Sequence, residues 1–251
     1  MAQKIITFAN HKGGVSKTTS TASIGACMAM KGKKVLLIDL DGQANLTLYF
    51  IPNEDEIETS IFDSLVNGVP LPVKHIRENL DLVPSSLEMA SAEIALTNLL
   101  AREQLLSRLL EPLRKDYDYI LIDCPPSLGL LTLNALTSAD FLIIPVQAQF
   151  LAMRGMAKIT NVVGIVKERL NPNLNIGGIV ITQFDKRKTL NKSVAELISE
   201  SFCDKVFKTV IRDNVSLAEA PIKGMNIFEY NKNSNGAKDY MELAKEVLKL
   251  K

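Results

Sequence analysis

The sequence predicts an α/β fold, in which a doubly wound, mostly parallel sheet is flanked by helices. Short apolar runs rich in β-branched residues alternate with longer helical stretches along the chain of 251 residues. Several of the short runs are apolar at successive positions, as strands covered on both faces must be. The sequence contains no long linker, low-complexity tract or internal repeat, so we expect one domain that spans residues 1–251.

The predicted strands and helices alternate from the N-terminus onward. The strands are predicted at Ile5–Ala9, Val35–Leu40, Leu80–Pro84, Tyr119–Ile122, Phe141–Val146, Ile176–Thr182 and Val206–Ile211. The helices are predicted at Thr18–Lys31, Ala90–Leu113, Leu151–Leu170, Leu190–Phe202 and Gly236–Leu250. The stretch Ile51–Val73 contains three prolines and several acidic residues, and it is the most loop-like part of the chain.

The composition is that of an ordinary globular protein, with 47% hydrophobic and 23% charged residues. The net charge is only +1, so any surface that attracts nucleic acid or membrane must be local or made by assembly. The N-terminus runs straight into a strand pattern without a signal-peptide core, and no apolar run approaches the roughly 18 residues of a membrane span. We therefore expect a cytoplasmic protein.

The cysteines are isolated from one another in the sequence. Cys27, Cys124 and Cys203 show no C-x-x-C spacing, which argues against a disulfide framework or a zinc site. We interpret Cys124, which follows an acidic residue at a strand end, as a small buried residue of the core.

The segment NHKGGVSKTTS, residues 10–20, lies between the first predicted strand and the first predicted helix. Backbone N–H groups and the helix dipole at such a helix N-terminus bind phosphate. Gly13 and Gly14 allow a close backbone approach, Lys17 can reach terminal phosphates, and Thr18 offers a hydroxyl to Mg²⁺. A glycine-rich surface turn that happens to hold lysines is the alternative interpretation.

The spacing of this loop departs from the usual pattern G-x-x-x-x-G-K-S/T, which would place its glycines at His11 and Ser16. A second lysine, Lys12, precedes the glycines. Lys12 cannot easily fold back onto phosphates that its own backbone wraps, but it could reach phosphates bound by a second copy of the protein. A positive charge delivered there would stabilise the charge that develops in phosphoryl transfer. The alternative is a solvated surface lysine.

Carboxylates end two further predicted strands. Asp39 and Asp41 follow one apolar run and would project to the same side if that strand continued, and Asp123 ends another. Carboxyl ends of parallel strands are where such sheets bind ligands. Asp123 fits a carboxylate that reaches Mg²⁺ through water, and either of the other two could orient an attacking water or hold the Mg²⁺ shell. Solvated acids at a strand end are the alternative.

The motif K-G-G-V-x-K-T-T resembles the deviant Walker A loop of the ParA/MinD superfamily of P-loop NTPases. The resemblance implies ATP and Mg²⁺ as cofactors, with Lys12 acting across a nucleotide-sandwich dimer and Lys17 on the phosphates. The segment DLDGQANLT is similar to the family's D-x-D-P-Q-G-N-x-T, which implies that Asp41 positions the water. The implied metal residues are Thr18, Asp41 and Asp123. The implied nucleotide-binding residues are Lys12, Gly13, Gly14, Val15, Ser16, Lys17, Thr18, Thr19, Gln183, Arg212 and Asn214.

The segment DCPPSLGLLTLNAL resembles the nucleotide-sensing switch of the ParA branch, and the C-terminal stretch that ends in GAKDY resembles that branch as well. The resemblance implies a weak ATPase that partitions a plasmid or chromosome origin. It would bind double-stranded DNA without sequence specificity as an ATP-dependent homodimer at the nucleoid. A centromere-binding ParB-type partner would stimulate hydrolysis. The DNA surface would include the basic run Lys186, Arg187 and Lys188.

Several positions depart from the family pattern. Ser16 replaces a glycine beside the phosphates, Gln149 stands where glutamate is common, and Ser216 replaces a basic residue implicated in DNA binding. Arg212 and Asp213 replace a proline and an arginine near the implied base site.

Two other functions are compatible with parts of the sequence. A MinD-like membrane-surface ATPase would need a C-terminal amphipathic helix, and DYMELAKEVLKLK does place apolar residues on one face, although core packing explains them better. We therefore expect no membrane binding. An iron–sulfur reductase of the nitrogenase iron-protein type would need cysteine ligand motifs that this sequence lacks.

Overall fold

A seven-stranded sheet organises the protein, whose computed structural model describes residues 3–150 and 152–250. The strands are β1 (Lys4–Phe8), β2 (Val35–Asp39), β3 (Lys74–Arg77), β4 (Leu80–Val83), β5 (Tyr119–Asp123), β6 (Phe141–Gln147) and β7 (Asn175–Thr182). Their order is β3-β4-β2-β5-β1-β6-β7, and every pair is parallel except β3 with β4. The predicted fold class, a doubly wound and mostly parallel sheet flanked by helices, is confirmed.

Helices follow most strands and cover both faces of the sheet. They are α1 (Lys17–Met30), α2 (Asn45–Phe50), α3 (Ile61–Asn67), α4 (Ala92–Leu96), α5 (Leu105–Leu110), α6 (Leu130–Ser138), α7 (Ala152–Arg169), α8 (Thr189–Phe202), α9 (Ser216–Ile222), α10 (Ile227–Asn231) and α11 (Asn235–Val247). Short 3₁₀ turns lie at Glu54–Glu56, Leu87–Ser91, Arg102–Gln104, Glu111–Asp116 and Cys203–Lys205. Across residues 3–150 and 152–250, no helix combines the length and apolarity needed to cross a membrane.

The core consists of two apolar layers, one on each face of the sheet. Alternate residues of β2 belong to different layers, with Leu36 and Ile38 in one and Val35 and Leu37 in the other. Both layers exclude water from the central strands β2 and β5, which are buried at every position and apolar up to their final aspartates.

Helix α1 lies unusually close to the sheet at Gly25. A Cβ atom at this position would come within 2.6 Å of Leu37 on β2 and within 3.4 Å of Leu121 on β5. Because Gly25 has no side chain, α1 can lie this close to β2 and β5.

Helix α11 packs its apolar face into the core. Leu243, Ala244 and Val247 are fully buried in the layer that also contains α1 residues such as Ile24 and Met28. This apolar face, which the sequence alone could also have assigned to lipid binding, thus packs against other parts of the same chain.

The predicted strand Val206–Ile211 is wrong as a strand. Only isolated bridges join Val206 to Ile179 and Arg212 to Phe184 along the edge of β7. The backbone N–H groups of Lys208 and Thr209 instead donate to the Glu246 carboxylate on α11 at 3.0 and 2.9 Å. Because the Glu246 side chain binds these N–H groups, they do not form the regular backbone hydrogen bonds of a strand.

The predicted helix Ala90–Leu113 is also wrong as a continuous element. It is divided into α4, α5 and 3₁₀ turns, with a break at Ala101, whose backbone is left-handed at φ 51°. No glycine or proline marks this break in the sequence.

The loop-like stretch Ile51–Val73 contains helix α3, which the prediction missed. Ser60 and Asp63 form a capping box at its start, and Gly68 ends it in a left-handed conformation. Strand β3 and helices α2, α6, α9 and α10 were also not predicted. The remaining helix boundaries agree within three residues, except that Leu151, the predicted start of α7, lies outside the described residues.

Candidate nucleotide-binding site

Three adjacent strands bring the predicted site residues to one edge of the sheet. In the register of β5 with its neighbours, Asp123 lies opposite Asp39 at the end of β2 and opposite Phe8 at the end of β1. The loop after β1 leads directly into α1. The carboxyl ends of parallel strands are the expected place for a ligand in such a sheet.

The loop between β1 and α1 has two left-handed residues, Gly14 at φ 72° and Ser16 at φ 66°. A serine in this conformation is uncommon and needs support from its surroundings. The Gln183 side-chain amide gives that support, because its Nε2 donates to the Gly14 carbonyl at 2.7 Å and to Ser16 Oγ at 3.1 Å. Val15 is buried, and its carbonyl accepts a hydrogen bond from Thr182 Oγ1.

Lys17 begins α1 and is almost wholly buried. Its Nζ donates to the Lys12 carbonyl at 3.3 Å, and burial lowers the pKa of its ammonium, an effect opposed by the nearby Asp123 and Asp41. A buried ammonium with a single long hydrogen bond retains donors for an anion.

Asp123 faces the start of α1. Thr18 Oγ1 donates to Asp123 Oδ2 at 2.6 Å, whereas the buried Asp123 Oδ1 has no hydrogen-bond partner. Burial and the neighbouring Asp39 raise the pKa of this carboxyl well above its usual range. A buried carboxyl group with one oxygen free of hydrogen bonds, beside a hydroxyl, fits a divalent cation.

Asp39 and Asp41 lie in different surroundings, because β2 ends at Asp39. Asp39 is fully buried and accepts from the N–H of Asp41 at 3.0 Å and from the N–H and Oγ1 of Thr47 at 2.8 Å. Burial raises its pKa to about 6. Asp39 therefore holds the acidic loop onto α2, whereas Asp41 is left facing the ligand side of the sheet.

A cavity of about 400 Å³ joins these elements. It is lined by Gly13, Gly14, Ser16, Lys17, Thr18, Thr19, Asp41, Gln43, Asn45, Tyr49, Pro126, Gln183 and Pro221. Gln43, Asn45 and Pro126 were not predicted to line the site, although they lie within the two acidic motifs. Tyr49 had no sequence signal, because only the fold brings α2 to this wall. Pro221 lies in the C-terminal stretch that resembles the ParA branch, but it was not predicted to line the site.

Lys12 does not line the cavity that its own loop forms. Its Nζ donates to Gln149 Oε1 at 2.5 Å and to Gln147 Oε1 at 3.3 Å, at the end of β6. The ammonium is therefore held by glutamine side chains at and after the end of β6, and Lys12 is not part of the cavity lining.

Arg212 and Asn214 also do not line this cavity. The Arg212 guanidinium is bound by Asp239, and the Asn214 side chain accepts from the N–H of Ser216 at the start of α9. Their segment nevertheless runs beside the end of β7, where Gln183 enters the cavity wall.

The basic run Lys186, Arg187 and Lys188 is fully exposed in the loop between β7 and α8. Arg187 forms a two-pronged ion pair with Asp185, at 3.0 and 2.9 Å, and this pair lowers the pKa of the Asp185 carboxyl. Part of the charge of this surface is thus compensated within the loop.

The three cysteines lie in separate places. Cys27 and Cys124 are buried in opposite core layers, and Cys203 is exposed after α8. In the described part of the chain no group of three or more His, Cys, Asp or Glu side chains could hold a metal by itself. A cation beside Thr18 and Asp123 would therefore complete its shell with ligand oxygens and water, which is usual for Mg²⁺.

The AAA domain family matches residues 3–176 of the chain. The sporulation initiation inhibitor protein Soj of Bacillus subtilis is 45% identical over 248 residues, which cover 97% of this chain and 98% of Soj. The chromosome partitioning protein ParA of Myxococcus xanthus is 39% identical over 98% of this chain and 88% of its own length.

Among solved structures, the cobyrinic acid a,c-diamide synthase of Mycobacterium smegmatis with bound ADP and magnesium is similar, with a TM-score of 0.85. It is 34% identical, and the match covers 98% of this chain and 94% of that protein. Three observations indicate the same family: the glycine- and lysine-containing loop, the aspartates at the strand ends and the full-length similarity to these proteins. The chain belongs to the AAA domain family and, within it, to the ParA-type P-loop ATPases.

Proposed function

We propose that this chain is an ATP-dependent DNA-partitioning ATPase. With ATP and Mg²⁺ bound it forms a sandwich homodimer that binds DNA without sequence specificity. A centromere-binding partner of the ParB type stimulates hydrolysis and releases the dimer from DNA. The cargo is a plasmid or a chromosome origin, and the protein works in the cytoplasm at the nucleoid.

The residues of the cavity support binding of ATP and Mg²⁺. Gly13, Gly14 and the first turn of α1 offer backbone N–H groups to the phosphates, and Lys17 supplies a buried positive charge. Thr18 and Asp123, with Asp41 nearby, would hold the cation. When bound, Mg²⁺ neutralises charge on the phosphate oxygens.

Asp41 is the residue that we assign to orienting the attacking water. It lines the cavity, and the N–H of Gln43 donates to its Oδ1 at 3.0 Å, which leaves Oδ2 for a further partner. The buried Asp39 fixes the backbone of Asp41, so the carboxylate is pre-positioned.

The position of Lys12 carries the proposal. Its ammonium lies outside its own cavity, on glutamine side chains that carry no charge. If a second copy faced this edge of the sheet, the Lys12 ammonium would lie near the phosphates of the nucleotide bound to that copy. Positive charge at that place accelerates phosphoryl transfer. This arrangement makes the active site complete only in a dimer.

DNA binding is tested with long, random-sequence duplex DNA in the presence of ATP, ADP or no nucleotide, at two salt concentrations. Anionic lipid vesicles are tested alongside. The double variant Lys186→Ala/Lys188→Ala removes two charges from the basic run. The matched control Lys31→Ala/Lys115→Ala removes two exposed charges elsewhere on the surface. Each lost phosphate contact reduces the slope of log affinity against log salt by about 0.9.

ATP-dependent, salt-sensitive binding that weakens only in the Lys186/Lys188 variant is the expected result. Vesicle binding without DNA binding would replace the partition function with a membrane-surface function. Binding to neither would leave an ATPase whose surface partner is another protein.

A further inference from the structure

The turn that precedes α4 packs its backbone against the residue that follows Asp41. A Cβ atom at Gly42 would lie 2.8 Å from the backbone nitrogen of Ala90 and 3.2 Å from its Cα atom. Earlier in the same turn region, Ser85 Oγ donates to the Asp41 carbonyl at 2.7 Å. Residues 85–96, which we call the α4 segment, therefore contact the backbone that carries the Asp41 carboxylate.

The α4 segment also contacts the start of α6, through the side chain of Glu93. A Cβ atom at Gly129, the residue before α6, would lie 2.7 Å from the carboxyl carbon of Glu93 and would overlap its oxygens. Because Gly129 has no side chain, the Glu93 carboxylate can occupy this space. Glu93 Oε1 is buried there without a hydrogen-bond partner. An acceptor oxygen at this place lies beside the first turn of α6, whose N–H groups lack partners within the helix.

Gly129 ends the loop that leaves β5 after Asp123. Pro126 of this loop lines the nucleotide cavity, and its Cβ atom would lie 3.9 Å from a Cβ atom at Gly13 of the phosphate loop. One short segment thus contacts both acidic loops of the site, the loop after β2 through its backbone and the loop after β5 through Glu93.

We propose that Glu93 is a positioning residue for ATP hydrolysis. Its contact with Gly129 fixes the α4 segment against α6, and the α4 segment in turn fixes the backbone of Asp41. The inference rests on the proposed ATP site, in which Asp41 orients the attacking water. A small displacement of a group that orients a reactant lowers the rate strongly. ATP binding does not depend on the contact, because neither Glu93 nor Gly129 lines the cavity.

Gly129→Ala tests the contact from the side of α6. Gly129 has a φ of −86°, which alanine adopts without strain, so the added Cβ atom displaces the Glu93 carboxylate without distorting the local backbone. Glu93→Ala tests the contact from the side of α4, where the fully buried Ala92 and Leu96 keep the helix in place. We expect each variant to hydrolyse ATP about tenfold more slowly in single-turnover measurements, with ATP affinity within about twofold of the wild type.

Three further variants separate this contact from a general loosening of the protein. The double variant Glu93→Ala/Gly129→Ala should be no slower than either single variant, because both substitutions remove the same contact. Glu93→Gln keeps the size of the side chain and an acceptor oxygen, and it should restore the rate to within about threefold of the wild type. Glu88→Ala removes an exposed acid of the same segment and should hydrolyse ATP like the wild type. Thermal unfolding midpoints are measured for all variants.

Wild-type hydrolysis in either single variant, or equal slowing in Glu88→Ala, would overturn the positioning role. A double variant slowed by the product of the two single factors would overturn it too, since the two residues would then act independently. A loss of ATP affinity as large as the loss of rate would assign the effect to nucleotide binding and would also overturn it. A wild-type chain that neither binds nor hydrolyses ATP would overturn the proposed ATPase site itself, so the two failures are distinguishable.

Discussion

Lys12 and Lys17 are close in sequence but lie in different surroundings, because Lys17 lines the cavity whereas Lys12 Nζ donates to Gln147 and Gln149. Lys12→Ala should bind ATP as tightly as the wild type, because Lys12 Nζ donates to Gln147 and Gln149 and Lys12 does not line the cavity. Stimulated hydrolysis should fall by about 10³-fold, the low end of the effect of a charge supplied in trans. Equilibrium ATP titration and a phosphate-release assay with the partner protein measure the two quantities.

The control for this prediction is Lys158→Ala, which removes another exposed lysine near the loop, one whose Nζ lies 3.4 Å from His11 Nε2. It should hydrolyse ATP like the wild type. Partner-stimulated turnover that survives in Lys12→Ala would rule out the trans role.

Asp41→Ala should separate ATP binding from hydrolysis. The carboxylate is assigned to the attacking water, so its loss should slow hydrolysis by about 10²–10⁴-fold while the ATP-bound dimer persists. Size-exclusion chromatography with ATP and a hydrolysis assay provide both readouts. The exposed acid Asp55 supplies the control substitution Asp55→Ala. Wild-type hydrolysis in Asp41→Ala would contradict the assignment.

The different surroundings of Asp39 and Asp41 could not be predicted from the sequence. Both acids follow the same apolar run, and a continuing strand would have placed them on one side. The strand ends at Asp39, and Thr47 on the next helix captures that carboxylate. Such a tertiary contact with a residue eight positions away is not encoded in the spacing of the acids.

At the scale of elements, the closeness of α1 to the sheet makes Gly25 sensitive to any larger residue. Gly25→Val should reduce the free energy of unfolding by about 1–3 kcal/mol, because its side chain would overlap Leu37. Gly164→Val is the matched control, since Gly164 lies in helix α7 with no other atom near its missing Cβ. Its effect should stay within about 0.5 kcal/mol.

Urea unfolding at equilibrium compares the two glycine variants. Equal changes in the two variants would show that packing against β2 does not control the result. A substitution at Gly25 that moves α1 away from the sheet would also displace Lys17 and Thr18, which lie in the same helix.

Elements with strong local signals were predictable, and those defined by tertiary contacts were not. Six of the seven predicted strands exist, because continuous apolar runs in a chain of this kind have few alternatives. The segment from Val206 failed because Glu246, some forty residues later, takes its N–H groups. The break at Ala101 could not be predicted either, because no turn-forming residue marks it in the sequence.

At the scale of the whole molecule, we propose that residues 1–251 fold as one domain and unfold in one cooperative transition. Both core layers share the strands of a single sheet, so neither can persist without the other. ADP at about 100 times its dissociation constant should add about 2.7 kcal/mol to the free energy of unfolding. EDTA should remove part of this gain by leaving Asp123 Oδ1 without a cation.

Differential scanning calorimetry measures this prediction with and without ADP, Mg²⁺ and EDTA. Lys17→Ala serves as the control, because it removes the phosphate charge and should abolish the gain from ADP. Two separate transitions would contradict the single domain. A gain from ADP that EDTA leaves unchanged would contradict the cation site.

The two edges of the sheet limit how copies of this chain can assemble. Strand β3 has four residues and pairs irregularly between His75 and Arg77, whose polar side chains contact Asp81 and Glu229. On the other side, the segment that bridges to β7 at Val206 and Arg212 lies along the final strand. Neither edge offers a long, flat row of unpaired backbone groups. Both edges are thereby protected from amyloid-like strand stacking, and any association between copies of this chain would use loops and helices.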